Sequence, residues 1–357
     1  MKVFKRVLKI LLIVLLALVL VVTGYVAYVT ISYSRIYDNQ TLEVNNPTQV
    51  TNVSRYTEYT IVTQNVGFGA YTADFTFFMD GGKESRAKSK QSVNDCIFKA
   101  YDKVSSYDPD FVFLQEVDTN SDRSHHVDER AFFNEKFTDY SSAFTVNYHS
   151  AYLFYPVFKP HGKSNSGMAT YSKVNISGSV RRSLPVSTGF SKFLDLDRCY
   201  SVSRVKCSNG KELVLYNVHT SAYGGSDTIR HEQLTMLFND MSAEYAKGNF
   251  IVCGGDFNHD FTGTSTQDLN GGEHVDFGWA QPFPEELIPE NFSRAINYAE
   301  LNPTCRNCDE PYKEGNFTII VDGFITSANV EVISVSNEVT GFEYSDHNPV
   351  VMKFKLK

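Results

Sequence analysis

The run Phe250-Ile251-Val252-Cys253-Gly254-Gly255-Asp256-Phe257-Asn258 decides how the chain is read. Four apolar residues in a row, too few for a helix, describe a strand buried on both faces. Two glycines end it, and a carboxylate and an amide follow where it stops. The same grammar recurs along the chain. Tyr59 to Gln64 runs into Asn65, Phe111 to Leu114 approaches Glu116, Leu213 to Val218 reaches His219, and Thr318 to Val321 reaches Asp322. Val350 to Phe354 forms a last strand, with Asp346 on the loop that enters it. Between strands, Val93, Cys96, Ile97, Ala100, Tyr101 and Val104 recur at helical spacing. Leu234, Leu237, Phe238, Met241 and Tyr245 define a second apolar helical face. Strands alternating with such helices predict an α/β sandwich, central sheets covered by helices. If its strand ends share one rim, the polar residues collect in a single cleft.

The composition suits that architecture. Of 357 residues 42% are hydrophobic, with 27 Phe and 21 Tyr, enough to fill a sizeable core. Wholesale disorder and collagen-like or small disulfide-scaffold classes are excluded on the same figures. The net charge is −8, unevenly placed. The first 32 residues hold Lys2, Lys5, Arg6 and Lys9 and no acid, so the remainder carries 29 basic against 41 acidic groups, or −12. So acidic a body disfavours nonspecific binding of polyanions, while leaving room for a local basic groove.

Residues 10–31 are an uncharged run directly after the basic residues 1–9. As a helix the run spans roughly 33 Å, enough for a hydrocarbon core of ~30 Å. A cleaved signal peptide has a shorter apolar region and small residues at its cleavage site, and neither feature is present. A single-pass transmembrane anchor is expected, its basic end cytoplasmic and the rest outside the cell membrane. Residues 32–54 are mostly polar and read as a stalk, leaving 55–357 as the body. Cys96 and Cys253 read as core thiols, and Cys305-x-x-Cys308 as a short-loop disulfide, since no second ligand pair for a structural zinc is visible. His125, His126 and His161 read as surface residues.

Glu116, Asp256, Asn258 and Asp346 are hard oxygen ligands, suited to Mg²⁺ or Mn²⁺ more than to zinc. Such an ion beside His and Asn donors suits phosphoryl chemistry: it neutralises phosphate charge while a base activates water. The segments Gln64-Asn65-Val66-Gly67, Leu114-Gln115-Glu116-Val117, Asn217-Val218-His219-Thr220, Gly254-Gly255-Asp256-Phe257-Asn258, Val321-Asp322-Gly323-Phe324-Ile325 and Ser345-Asp346-His347-Asn348-Pro349 resemble, in order, those of the endonuclease/exonuclease/phosphatase superfamily, the deoxyribonuclease-I-like fold. Ser166-Gly167-Met168-Ala169 is a weaker match. One piece alone would be weak; their common order carries the resemblance.

The resemblance implies a four-layer α/β sandwich, two packed sheets flanked by helices, and a role for each matched position. Glu116 would ligate the metal with Asn65 and Asp346 nearby. His347 would be the general base, polarised by Asp322. Asp256 would orient the nucleophile or protonate the leaving group, and Asn258 and His219 would hold phosphoryl oxygens. Many nuclease members carry an acid where Gly67 stands, which puts a second metal site in doubt. Phe68 to Glu84, Asp118 to Asn165 and Phe261 to Tyr312 exceed ordinary connector length and are where specificity would reside. Within them or nearby, Lys159, His161, Lys163, Asn165 and Arg198 are donors for a phosphate, or else ordinary polar turns. The expected activity is metal-dependent hydrolysis of a phosphoester on a lipid headgroup or small molecule. A nuclease and a catalytically silent surface-binding protein on the same fold are the alternatives.

Overall fold

The computed structural model describes residues 2–189, 192–195, 197–222, 227–272 and 279–357. Two seven-stranded sheets dominate it. The first runs Gln40–Thr41, Ile176–Ser183, Cys199–Lys206, Glu212–His219, Phe250–Asp256, Asp322–Ser327, Phe292–Ala295. The second runs Val330–Asn337, Val350–Leu356, Glu58–Asn65, Phe111–Asp118, Asn165–Ser172, Ser141–His149, Val44–Asn45. Each has a parallel pair near its centre: Glu212–His219 with Phe250–Asp256, and Glu58–Asn65 with Phe111–Asp118.

Continuous apolar runs form these strands because both faces are covered. Leu213, Leu215, Phe250 and Val252 face the other sheet, meeting Ile61, Phe111, Phe113, Met352 and Phe354. Val214, Tyr216, Ile251 and Cys253 face outward against Leu234, Leu237, Phe238 and Met241 of the helix Asp227–Ala246. On the opposite flank Val62, Val112 and Leu114 meet Val93, Ile97, Ala100 and Val104 of the helix Lys90–Ser105. The Ser89 side chain caps that helix by accepting from Ser92 N at 3.1 Å. The result is the four-layer sandwich, with the expected strand ends on one rim. The helix Lys2–Ser32 buries none of its residues, touches the body through Tyr25 and Tyr28 near its C-terminal end, and is long and apolar enough to cross a membrane.

Three expectations change. Asp322 opens a strand instead of ending one. The run before it forms only the two-residue strand Thr318–Ile319, paired with Cys305–Arg306, and buries Ile319 and Val321 in a small cluster with Cys305. Because Asp322–Ser327 is antiparallel to Phe250–Asp256, its first residue pairs with Asp256 at the same rim. Residues 32–54 do not stand off as a stalk. Gln40–Thr41 pairs with Arg181 and Val180, and Val44–Asn45 with Ala143 and Ser142. The polar residues there satisfy edge backbone: Asn46 exchanges hydrogen bonds of 3.0 and 2.9 Å with Ile176. Cys305 and Cys308 are buried free thiols, as are the other four cysteines. Cys305 packs with Ile319 and Val321, whereas Cys308 packs in the separate cluster containing Phe75 and Phe77.

Gly255 is where the opening motif becomes a steric requirement. Its φ is +141°, and a Cβ there would lie 2.0 Å from Val218 O on the parallel neighbour. Gly210, at φ +81°, has open space around it. Gly210→Ala should therefore cost about 1–3 kcal/mol from backbone strain alone, and Gly255→Ala clearly more, because two strands must part. Chemical denaturation of both variants checks this; equal losses would contradict the steric account.

Candidate functional site

The rim assembled by the two parallel pairs opens into a cavity of about 310 Å³, lined by Glu116, His219, Asp256, Asn258, Asp346 and His347 among others. Asn65 and Asp322 lie just beneath, buried. All eight side chains expected at the site are thus brought together, from both sheets and the loop entering the last strand.

Local backbone aims several of them. Glu116 has φ +56° and sits where the pairing of its strand with Asn165–Ser172 slips between Leu114 and Val117. A bulge of this kind turns a side chain out of strand alternation, here into the cavity. Asn258 also has φ +48°. Non-glycine residues held this way cost of order 1–3 kcal/mol each and cluster at functional sites. Ser345 ties the last loop down: its hydroxyl donates to Asn65 O at 2.8 Å and accepts from His347 N at 3.1 Å.

His347 and Asp322 form the tightest contact, Nδ1 to Oδ2 at 2.7 Å, with both residues buried. The imidazole therefore turns Nε2 toward Asp256 Oδ2, 3.9 Å away. Asp256 Oδ2 also lies 3.4 Å from His219 Nε2 and accepts from Asn65 Nδ2 at 3.1 Å, while its Oδ1 accepts from Asn258 N at 2.9 Å. Asn258 Nδ2 donates to Thr220 O at 3.0 Å, which fixes the amide and leaves its second N–H for the cavity. Asn147 Nδ2 approaches His219 Nδ1 at 3.3 Å, placing the proton of neutral His219 on Nε2.

Charge follows from this crowding. Burial, then the Arg198, His347 and Arg123 cations, hold His219 well below its ordinary value, so it stays neutral. Burial pulls His347 down, but Asp322, Cys305 and Asp346 outweigh it and carry its pKa well above the usual range. Burial pushes Asp256 up to about 6, against the pull of His347. Asp346 is pushed up to about 7 by burial, His347 pulling it back and Glu116 adding to the rise.

A hard divalent ion suits this donor set. Glu116 and Asp346 present carboxylates to one cavity, and their repulsion is among the causes that lift Asp346; a cation would relieve it. Asn65 is turned with Nδ2 toward Glu116 Oε1 at 3.4 Å, and its Oδ1 accepts from Gly67 N at 3.0 Å. So placed, it braces two carboxylates. Ligand-type atoms of Asp256, Asp322 and His347 also lie within 4.8 Å of one another; Asp322 Oδ2 is taken by His347 Nδ1, while the buried Asp322 Oδ1 makes no hydrogen bond.

Sequence reasoning missed three groups. Arg123 is buried, forks onto Asp118 at 2.8 and 3.0 Å, stacks 3.9 Å over the Phe68 ring and reaches within 3.7 Å of Glu116 Oε2. Arg306, also buried, lines the cavity and donates from Nη2 to Thr72 O and Phe75 O at 3.2 and 3.1 Å, while its Nε and Nη1 make no hydrogen bond. Asn147 ends an apolar–polar alternation and gave no strand-end signal. Two carboxylates one residue apart, Glu116 and Asp118, were the available hint that a cation had to lie nearby. Of the donors singled out in the long segments, His161 and Arg198 line the cavity; Lys159, Lys163 and Asn165 do not.

The chain belongs to the Endonuclease/Exonuclease/phosphatase family, whose model matches residues 62–347. Members of this family hydrolyse phosphoesters and are generally dependent on a divalent metal. No curated protein matches the chain in sequence. Among solved structures it is similar to an endonuclease/exonuclease/phosphatase from Beutenbergia cavernae DSM 12333, at 18% identity and TM-score 0.55, over 84% of this chain and 72% of that one. It is similar to ANGEL2, a 2',3'-cyclic phosphatase, at 14% identity and TM-score 0.55, over 90% and 99%. The human Nocturnin catalytic domain with bound sulfate anion follows at 16% and 0.52, over 88% and 98%. At these identities the likeness is one of fold.

His161 is the clearest departure at the site: buried instead of exposed, its Nδ1 on Ser85 O at 2.9 Å and its Nε2 on Ser164 Oγ at 3.3 Å. Burial, then Arg123, lowers its pKa to about 4. Since the unfolded value is ~6.5, its contribution to stability is whole above that pH and is lost as pH falls toward 4, amounting to about 3 kcal/mol. Asp256 and Asp346, raised to about 6 and 7, titrate there with the opposite sign in both chains, so the measure is the difference: in urea unfolding of the full chain in detergent, the stability of the parent relative to His161→Gln should fall by that amount as pH drops through the window. Identical slopes in parent and variant would contradict it.

Proposed function

We propose that the protein is a divalent-metal-dependent phosphoester hydrolase, anchored by the helix Lys2–Ser32 with its body outside the cell membrane, acting on a lipid headgroup or small-molecule phosphoester. The observation that carries the chemistry is the convergence of the His347–Asp322 pair, Asp256 and two cavity-facing carboxylates in one hollow. Arg123, Arg198 and Arg306 line the same hollow in an otherwise acidic body, matching an anionic phosphoryl group. Phe68, Tyr71, Phe77 and Phe78 add an apolar lining beside Arg123, which suits a substrate with an apolar portion.

Glu116 and Asp346 would hold the ion, with Asn65 orienting Glu116. Bound there, Mg²⁺ or Mn²⁺ would supply charge neutralisation at phosphorus and would offset the Asp346 contribution to the raised pKa of His347. Water sits between His347 Nε2 and Asp256 Oδ2. His347, held in one orientation by Asp322, takes the water's proton, and Asp256 orients the attack. His219 Nε2–H and the free Asn258 N–H stabilise the developing charge on phosphoryl oxygens.

The test is a phosphoester panel offered to the detergent-solubilised full chain. Turnover should vanish with a chelator and return with Mg²⁺ or Mn²⁺. Glu116→Gln and His347→Asn should each lower kcat by about 10²–10⁴-fold while the chain stays folded. Undiminished hydrolysis by either variant overturns the assignment. Salt-sensitive cleavage of DNA or RNA would move the reading to a nuclease, and no turnover of any ester to a silent binding protein.

A further inference from the structure

The cavity mouth is bordered by a feature the chemistry does not use. Between Tyr152 and Phe158 the chain exposes Phe154, Tyr155, Val157 and Phe158 by 52, 67, 57 and 99%. Elsewhere on the body, exposed large apolar side chains such as Val50, Phe98 and Ile333 are scattered through the sequence, which is ordinary for a protein surface. Here four fall within five residues, and the loop that carries them is fastened to the end of the membrane-type helix. Tyr25 Oη donates to Tyr152 O at 3.1 Å and accepts from Phe154 N at 3.1 Å, and Tyr28 Oη accepts from Tyr152 N at 3.2 Å. The Tyr25 and Phe154 rings meet edge to face at 6.3 Å. Tyr25, Phe154 and Tyr155 also line the catalytic cavity.

Tyrosines near the end of a spanning helix sit at the lipid–water boundary, apolar ring inward and hydroxyl toward polar partners. Whatever they hydrogen-bond lies at that depth. The backbone on either side of Val157 and Phe158 is held by hydrogen bonds. Tyr152 N and Phe154 N are taken by the tyrosines, Leu153 exchanges hydrogen bonds of 3.0 Å with Gly162, and Lys159 N and His161 N donate to Pro156 O and Tyr155 O at 3.1 Å. Lys159 follows directly, a cation placed to meet lipid phosphate.

We propose that the Tyr152–Phe158 loop is a second bilayer contact, inserting Val157 and Phe158 into the outer boundary of the membrane that holds the helix. It thereby seats the mouth of the cavity on the headgroup layer, so that the substrate is a phosphoester presented by that layer. The substrate clause rests on the hydrolase reading above; the placement of the loop does not. Both rest on the helix being in the bilayer.

The probe is the full chain in phosphatidylcholine vesicles, where Phe158→Trp adds a second tryptophan to the lone Trp279. The added emission should be blue-shifted and quenched by lipid brominated high on the acyl chain, whereas Tyr298→Trp should emit as in water. Water-like, unquenched emission from position 158 overturns the loop placement, whatever the activity. Val157→Ser with Phe158→Ser should then lower hydrolysis of vesicle-held phosphoesters about tenfold, through weakened apolar insertion, and spare short-chain monomeric esters of the same headgroups. Equal loss on both presentations overturns the substrate clause. Quenching without turnover of either ester by the parent sinks the hydrolase reading and leaves the loop's placement standing.

Discussion

A buried amide pair between the two sheets is the contact on which the site depends. Gln115 Nε2 donates to Asn217 Oδ1 at 2.8 Å, and Asn217 Nδ2 donates to Ala169 O at 3.0 Å. Both amides are fully buried, and Thr63 Oγ1 accepts from Gln115 as well at 3.1 Å. Apolar packing between sheets is tolerant of sliding, but a buried amide left unpaired costs about 1–3 kcal/mol. One relative position of the sheets satisfies these groups. Gln115 precedes Glu116, and Asn217 lies two residues before His219. The register that pairs the amides therefore brings the Glu116 end of one sheet over the His219 end of the other.

Around that lock the rim concentrates charges that each need a partner. His347 has Asp322, and Asp256 has Asn65 and the Asn258 backbone. Arg123 is held by Asp118. Glu116 and Asp346 both line the cavity, their repulsion is among the causes that lift Asp346, and Arg123 lies 3.7 Å from Glu116. Positive-φ backbone at Glu116 and Asn258 stores strain at the same place. A fold optimised for stability alone would not put carboxylates together in a cleft on strained backbone; a site that binds a cation and a phosphoryl group has reason to.

The layered body was legible because strands covered on both faces show as unbroken apolar runs, and helices covered on one face show a 3.6-residue period. Leu213 to Val218 and the helix around Leu237 are instances. The rim was legible because polar residues interrupt those runs at their ends. The illegible parts have physical reasons. Two-residue edge strands at Gln40–Thr41 and Val44–Asn45 are too short to carry a period, so a strap resembled a linker. The direction of the Asp322 strand depends on which neighbour it joins, which local pattern does not encode. Arg123, Arg306 and His161 reach the cavity from long loops, where placement comes from tertiary contacts. Cys305 and Cys308 are close in sequence but are drawn into different apolar clusters.

The central claim is that one cation sits where Glu116 and Asp346 face the hollow containing the His347–Asp322 pair. Anomalous diffraction from crystals grown with Mn²⁺ tests it most directly. The account predicts a single strong peak coordinated by the carboxylates of Glu116 and Asp346. A well-ordered empty hollow at saturating Mn²⁺, or an ion bound elsewhere with these two carboxylates uninvolved, would contradict it.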